Sequence, residues 1–326
     1  MSDLSFLMYQ RLISPGPRLP VIKEWLLDDV LSLKRYESLP RIEYLKTGED
    51  RVNKVEEVIA SAASRLYDEF LQTPDENRDI LQFLTSEKPR AAVIFDGLSL
   101  REMPVLKKLS EVSGFKIKDY GLSWTVIPTE TMDFITQRLK LINTAPSQLK
   151  SQLKGLSIFA YYFSDTGERH QLERQGNLLL WSAFPDVTYG DSGAKFPQHF
   201  EQIHTRLEGA WRNTVQQIPG ERKILLTSDH GYVFFGSGYA FPRSNEYIKP
   251  LNAFLGGERF RKLQPGEASP FHPDLRVFER ESYRVAVVKG RVQTHPPGPS
   301  SAKLYKHGGL SIMEILVPWI ILSPEG

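Results

Sequence analysis

Ile224-Leu225-Leu226-Thr227-Ser228-Asp229-His230-Gly231 decides how this chain is read. An apolar run that stops abruptly at Asp-His-Gly reads as a buried strand. Its C-terminal tip delivers a carboxylate and an imidazole side by side, as a metal ion requires, and the glycine lets the backbone turn at once. Two other apolar runs also end in aspartate. Ala91-Ala92-Val93-Ile94-Phe95 runs into Asp96-Gly97. Leu156 to Phe163 runs into Ser164-Asp165, with Glu168 and His170 close behind. His307-Gly308-Gly309 adds an imidazole from the far end of the chain.

Continuous apolar runs of this length suit strands buried on both faces. Between them, Arg101–Val112, Thr131–Leu141 and Pro197–Gln217 have helical spacing, and Phe115–Tyr120 alternates like a strand. Ile315–Leu322 reads as a terminal strand. The expected fold is α/β, with a mostly parallel central sheet and helices on both faces. Residues 1–88 read as an N-terminal helical extension, with helix-like spacing around Trp25, Val55 and Ile59 and over Arg51–Leu71, then a turn at Pro74-Asp75. The main domain is 89–326, with a loop-rich excursion at about 232–301 that carries a strand at Arg284–Val288 and a hairpin.

Ligands bind outside the C-terminal ends of strands in open parallel sheets. If the three strands are parallel, three acidic tips and the histidines line one edge, where carboxylates repel unless cations lie between them. Each residue alone has an ordinary reading: a turn former at Asp96 or Asp165, a solvated side chain at His170. Ser99 reads as an N-cap. The pattern gains weight jointly, since independent turns have no reason to share it.

Composition narrows the chemistry. The chain has 326 residues and no cysteine, so any metal is held by Asp, Glu, His or hydroxyl groups. With 41 basic and 39 acidic residues, the net charge of +2 argues against a protein that coats polyanions. No basic, apolar leader opens the sequence and no apolar run reaches the length of a membrane span, so a cytoplasmic protein with no membrane partner is expected.

A hydroxyl nucleophile is offered by Pro128-Thr129-Glu130-Thr131, before an expected helix. A threonine there is an ordinary cap, or a group aimed at an anion alongside the helix-end amides. In the excursion, Arg243, Lys249, Arg259, Arg261 and Lys262 form either a solvated basic loop or a grip on a longer phosphorylated chain. Tyr232, Phe234 and Phe235 are either core or a base-stacking platform.

Asp96-Gly97, Pro128–Thr131, Asp229-His230-Gly231 and His307-Gly308-Gly309-Leu310-Ser311 occur in the order used by the alkaline phosphatase superfamily. The closing run from His307 to Pro318 resembles the PglZ domain branch. The resemblance covers roughly 90–326 and implies an alkaline phosphatase-like fold with two adjacent divalent ions, usually zinc and sometimes manganese. Asp96, Thr131, Asp229 and His230 would surround one ion. Asp165, a side chain just after it, and His307 would surround the other. It implies Thr131 as the nucleophile of a phosphodiesterase or phosphatase, acting on nucleotide or oligonucleotide phosphodiesters in an antiphage-defence or signalling system with partner proteins. The family's second site takes Asp-x-x-Gly-His. The segment Asp165-Thr166-Gly167-Glu168-Arg169-His170 departs from that spacing, leaving Glu168 or His170 to fill the place. The competing reading is a scaffold that keeps the fold with little catalysis and docks a partner through its N-terminal helices.

Overall fold

The computed structural model describes residues 3–62, 66, 67, 69, 78–86, 88–190, 196–236, 238–280, 283–295 and 304–324. The chain divides into two compact units. One comprises 76–234, 303–308 and 313–326; the other comprises 1–75, 235–302 and 309–312. The expected turn at Pro74-Asp75 lies outside the described residues.

The first unit is built on a six-stranded sheet. Its strands are β1 (Arg90–Phe95), β2 (Phe115–Trp124), β3 (Ile158–Phe163), β4 (Asn177–Ser182), β5 (Lys223–Thr227) and β11 (Leu316–Pro324), in the order β2-β11-β5-β1-β4-β3. β5, β1, β4 and β3 are mutually parallel. β11 is antiparallel to both β5 and β2, so it alone is reversed. The architecture is α/β with a mostly parallel central sheet, as the apolar runs predict. The sequence reading passed over β4, which inserts between β1 and β3.

Both faces of the sheet are buried, which is why the central strands are apolar at consecutive positions. On one face, Ala92, Ile94, Leu179, Trp181 and Leu225 pack against Phe83, Leu84, Phe134, Ile135 and Leu149 from three short helices. These helices are Ile80–Leu84, Thr131–Arg138 and Leu149–Gln152. On the other face, Val93, Phe95, Leu178, Leu180 and Leu226 are fully buried. Two longer helices, Met103–Val112 and Phe196–Asn213, also belong to this unit; the second buries Phe200, Ile203, Leu207 and Trp211 along one stripe. Ser99 caps the turn Leu100–Glu102 through a capping box, the ordinary role read for it. A two-stranded antiparallel pair, β6 (Val233–Phe234) with β10 (Tyr305–Lys306), joins distant parts of the chain.

The second unit contains the N-terminal helices Asp3–Ile13, Leu19–Glu24, Leu33–Ser38 and Arg41–Ala62. The segment read as a loop-rich excursion holds a helix, Asn245–Leu255, and a three-stranded antiparallel sheet of β7 (Phe260–Leu263), β9 (Tyr283–Val288) and β8 (Leu275–Arg280). Most of its basic side chains are engaged locally. Arg259 is fully buried and donates to the carbonyls of Gly290 at 2.6 Å and Val292 at 3.0 Å. Arg261 pairs with Glu267 at 2.6 Å, and Arg243 with Asp274 at 3.4 Å. This unit also buries a charged triad. Arg291 binds Glu56 and, at 2.7 Å, Glu49; the other oxygen of Glu56 takes the Ser311 hydroxyl and the Ile312 amide, each at 2.6 Å. Replacing Arg291 by alanine leaves two buried carboxylates without their cation. Urea unfolding should show a loss of about 3–5 kcal/mol, whereas Lys249→Ala on the exposed helix face should stay within about 0.5 kcal/mol of the parent.

Candidate metal and phosphoryl-transfer site

The C-terminal tips of β1, β4 and β5 converge on one cluster of carboxylates and imidazoles. Asp96 leaves β1, and its amide donates to the Ser182 carbonyl of β4 at 2.9 Å. Asp229 and His230 leave β5 two and three residues after its last residue, Thr227. Asp186 follows β4 on a turn whose amide donates to the Asp96 carbonyl at 3.0 Å. His307 arrives through the β6–β10 pair. Val233, three residues after His230, pairs with Lys306, one residue before His307. That short ladder stacks the two imidazoles at 4.0 Å with planes 15° apart.

Glycines permit the close approach. Gly97 has φ of 68°, the left-handed region, and a Cβ there would meet Asp186 Cβ at 3.0 Å. A Cβ on Gly231 would lie 2.2 Å from the Met313 carbonyl oxygen, so the turn after His230 admits no side chain.

Asp96, Asp229 and His230 form one candidate ligand group, and Asp186, His230 and His307 another. In each, one ligand atom per residue lies within 4.8 Å of the others. The hydrogen bonds leave the right atoms free. His230 Nδ1 is 3.0 Å from the Gly231 carbonyl and His307 Nδ1 is 2.8 Å from the Thr129 carbonyl, which turns each Nε2 toward the cluster. His230 Nε2 lies 3.6 Å from both Asp96 Oδ1 and Asp229 Oδ2. His230 Nε2 and Asp96 Oδ1 are buried with no hydrogen-bond partner among the described residues. Two orphaned buried atoms of opposite character, facing each other beside a second carboxylate, fit a divalent cation with oxygen and nitrogen ligands.

The remaining valences hold the cluster rigid. Asp96 Oδ2 accepts from the Trp181 indole at 3.0 Å. Asp229 Oδ1 accepts the amides of Gly97 and His230, each at 3.0 Å, and Oδ2 accepts the Thr131 hydroxyl at 2.6 Å. His199 bridges the two outer segments: its Nε2 is 3.0 Å from Thr188 Oγ1, two residues after Asp186, and its Nδ1 is 2.6 Å from the Tyr305 hydroxyl, two before His307.

The threonines divide their tasks. Thr129 is fully buried, and its hydroxyl accepts the Gly308 amide at 2.6 Å while its carbonyl faces His307, so it shapes the loop. Thr131 is the first residue of its helix, the cap being Glu130, so its hydroxyl is spared for the cluster.

Of the sequence candidates, Asp96, Thr131, Asp229, His230 and His307 meet here. Asp165 and His170 belong to neither ligand group. Asp165 Oδ1 accepts the Gly167 amide at 2.6 Å in a local turn. His170 is 3.0 Å from Glu168 and from the Tyr162 carbonyl, its ring edge-on to Phe163. Asp186 was missed. The signal lay in Asn177-Leu178-Leu179-Leu180-Trp181, one more apolar run with an aspartate beyond it. Tyr232 and Phe234 are buried core; Phe234 stacks on Phe196 at 4.3 Å.

Burial and the neighbouring Asp229 push the Asp96 carboxyl well above its ordinary range. Burial opposes protonation of His230, but Asp229, Asp186 and Asp96 outweigh it and raise the imidazolium to about 9. Burial, and then the His230 charge, lower His307. At pH 7 the metal-free cluster therefore holds a proton on His230 that a metal must displace. Zinc titrated calorimetrically in buffers of different ionisation enthalpy should release at least one proton. Below pH 9 the affinity should weaken about tenfold per unit as pH falls.

The chain matches no family model and no curated protein sequence. Solved structures similar to it include murine ectonucleotide pyrophosphatase/phosphodiesterase 5, at 14% identity over 73% of this chain and 88% of that one, with a TM-score of 0.45. Phosphonoacetate hydrolase from Sinorhizobium meliloti 1021, in complex with phosphonoformate, is 13% identical over 72% of this chain and 89% of its own, with a TM-score of 0.40. Human ectonucleotide pyrophosphatase/phosphodiesterase 5 is 12% identical over 72% and 87%, also with a TM-score of 0.40.

Proposed function

We propose that the chain is a metal-dependent phosphoesterase that acts on phosphodiesters through Thr131. The observation that carries this reading is the Thr131 hydroxyl at 2.6 Å from Asp229 Oδ2, inside a cluster with orphaned Asp96 and His230 atoms. Asp96, Asp229, His230 and Thr131 would hold one divalent ion, with Asp186 and His307 available to a second. When bound, such ions supply positive charge that acidifies the hydroxyl and offsets charge on the phosphoryl oxygens.

The chain's own groups do the rest. Asp229 orients the Thr131 oxygen and accepts its proton at Oδ2. The oxygen attacks phosphorus in line, the ester bond to the leaving alcohol breaks, and the phosphoryl group passes to threonine. The helix begins at Thr131, so its first amides would be available to the anionic oxygens. Water then cleaves the phosphothreonine, and the two steps regenerate the hydroxyl. The resemblance to the PglZ branch extends this reading to nucleotide or oligonucleotide diesters, to zinc or manganese, and to a defence or signalling system with partner proteins.

A second reading has an observation of its own. Four residues after Asp186, where an Asp-x-x-Gly-His pattern would put histidine, stands Gly190. A side chain that cannot ligate there favours a binding module that holds one ion and has little catalysis.

The test is hydrolysis of bis(p-nitrophenyl) phosphate with zinc or manganese. Metal-dependent turnover should fall by about 10³-fold or more in Thr131→Ala and in Asp229→Ala. Turnover that survives Thr131→Ala removes the nucleophile assignment. A folded wild type that holds one ion and turns nothing over supports the binding module.

A further inference from the structure

A cavity of the sheet unit lies beside the cluster, and neither Thr131 nor any residue of the two candidate ligand groups lines it. It has a volume of about 550 Å³ and is lined by Ser164, Asp165 and Thr166, by Phe184, Val187 and Thr188, and by His199, Gln202, Ile203 and Arg206. The first three residues are the tip of β3. The next three belong to the loop after β4, the loop that also carries Asp186. The last four come from the helix Phe196–Asn213.

The strand order places this cavity relative to the metal cluster. The cluster sits over the tips of β5, β1 and β4; the cavity sits over β4 and β3, one step along the same edge. Adjacent strands are about 4.8 Å apart. A group attached to a phosphorus at the cluster therefore reaches the cavity within about 5–10 Å, the span of one ring.

The lining defines what would fill it. Asp165 and Arg206 carry opposite charges, and Arg206 has no ion-pair partner among the described residues. His199 is held neutral, lowered to about 4 by burial and by Arg206. The wall is thus close to electroneutral, which gives no advantage to a second phosphate. The Thr166 hydroxyl and the Gln202 amide both donate and accept, while Ser164, whose proton goes to Glu168, and Thr188, whose proton goes to the Pro185 carbonyl, keep acceptor capacity. Phe184 and Ile203 supply apolar surface. Hydroxyl-rich rings present this alternation of ring C–H faces and equatorial hydroxyls.

We propose that this cavity binds an uncharged, polyhydroxylated ring, such as a sugar, carried on the substrate's phosphoryl group. The proposal rests on the phosphoesterase reading and names the ester group that reading leaves open. It assigns Asp165, Gln202 and Arg206 to specificity rather than to the metal.

The test is binding, so that turnover is not needed. Zinc-loaded Thr131→Ala is titrated calorimetrically with methyl phosphate, phenyl phosphate and glucose 6-phosphate. Glucose 6-phosphate should bind at least about tenfold more tightly than either other ester, the margin given by one or two net hydrogen bonds. Gln202→Trp, an exposed helical position whose new ring fills the cavity, should reduce that margin to about one. Equal binding of all three esters overturns the pocket and leaves the phosphoesterase reading standing. Tighter binding of phenyl phosphate overturns the ligand class, and a margin that survives Gln202→Trp overturns the location. If no ester binds, this proposal falls, while the phosphoesterase reading is decided separately by hydrolysis of bis(p-nitrophenyl) phosphate in the wild type.

Discussion

The carboxylate of Asp229 is the constraint on which the sheet unit turns. It is fully buried, yet its two oxygens take the amides of Gly97 and His230 and the hydroxyl of Thr131. Its own carbonyl receives the Thr125 hydroxyl. One residue thus fixes the turn after β1, its own strand tip and the start of the helix Thr131–Arg138. A buried anion is tolerated only when its lone pairs are filled, so these elements cannot drift without leaving it unsatisfied. Asp96 is held within 4.8 Å of it. At an effective dielectric of about 20, two charges at that separation repel by roughly 3 kcal/mol. The raised pKa of Asp96 and the imidazolium at His230 are how the metal-free protein relieves this repulsion. A divalent cation relieves it more completely.

Much of this was legible in the sequence, because burial leaves a mark on composition. The runs that became β1 and β5 are apolar at consecutive positions since both faces of the sheet are covered there, whereas β3, at the edge, leaves Phe159 exposed. Their aspartate endings were real strand tips. Thr131 and His307 were singled out through their motifs, and both side chains lie at the cluster. What the pattern does not encode is strand order. Three acidic tips on one edge converge only if their strands are neighbours, and apolar runs say nothing about adjacency. β3 lies at the edge of the sheet, with β4 between it and β1. The tip of β4 is therefore the nearer one, and Asp186 lies beside His230 and His307. Three residues, Ala183, Phe184 and Pro185, separate Asp186 from the end of β4, so no apolar run ends visibly in it.

The excursion, read as loop-rich with a hairpin, contains the antiparallel pair β8–β9 and more regular structure besides. Its basic residues were left between a solvated loop and a grip on a ligand, and a buried arginine is cheap when carbonyls surround it. Arg259 is enclosed by backbone oxygens of Gly290 and Val292 and lies over Phe235 at 5.2 Å. Charge counting along a sequence cannot tell such a residue from a ligand-binding one, since the difference lies in which acceptors the fold returns to it.

The two units treat buried carboxylates in opposite ways, and the contrast separates structure from function within one molecule. Glu49 and Glu56 are matched by Arg291, with the remaining Glu56 oxygen taken by Ser311 and Ile312. In that set each carboxylate touches a guanidinium directly. Asp96 and Asp229 have no arginine or lysine in contact among the described residues. Their one cationic neighbour is a histidine that must give up its proton to become a ligand. A chain that brings a guanidinium into contact with two buried acids in one unit leaves two others without one at the strand tips of the other. Removing Arg291 would strand charge that folding alone had settled, whereas adding a metal at Asp96 and Asp229 would complete a set that folding leaves open.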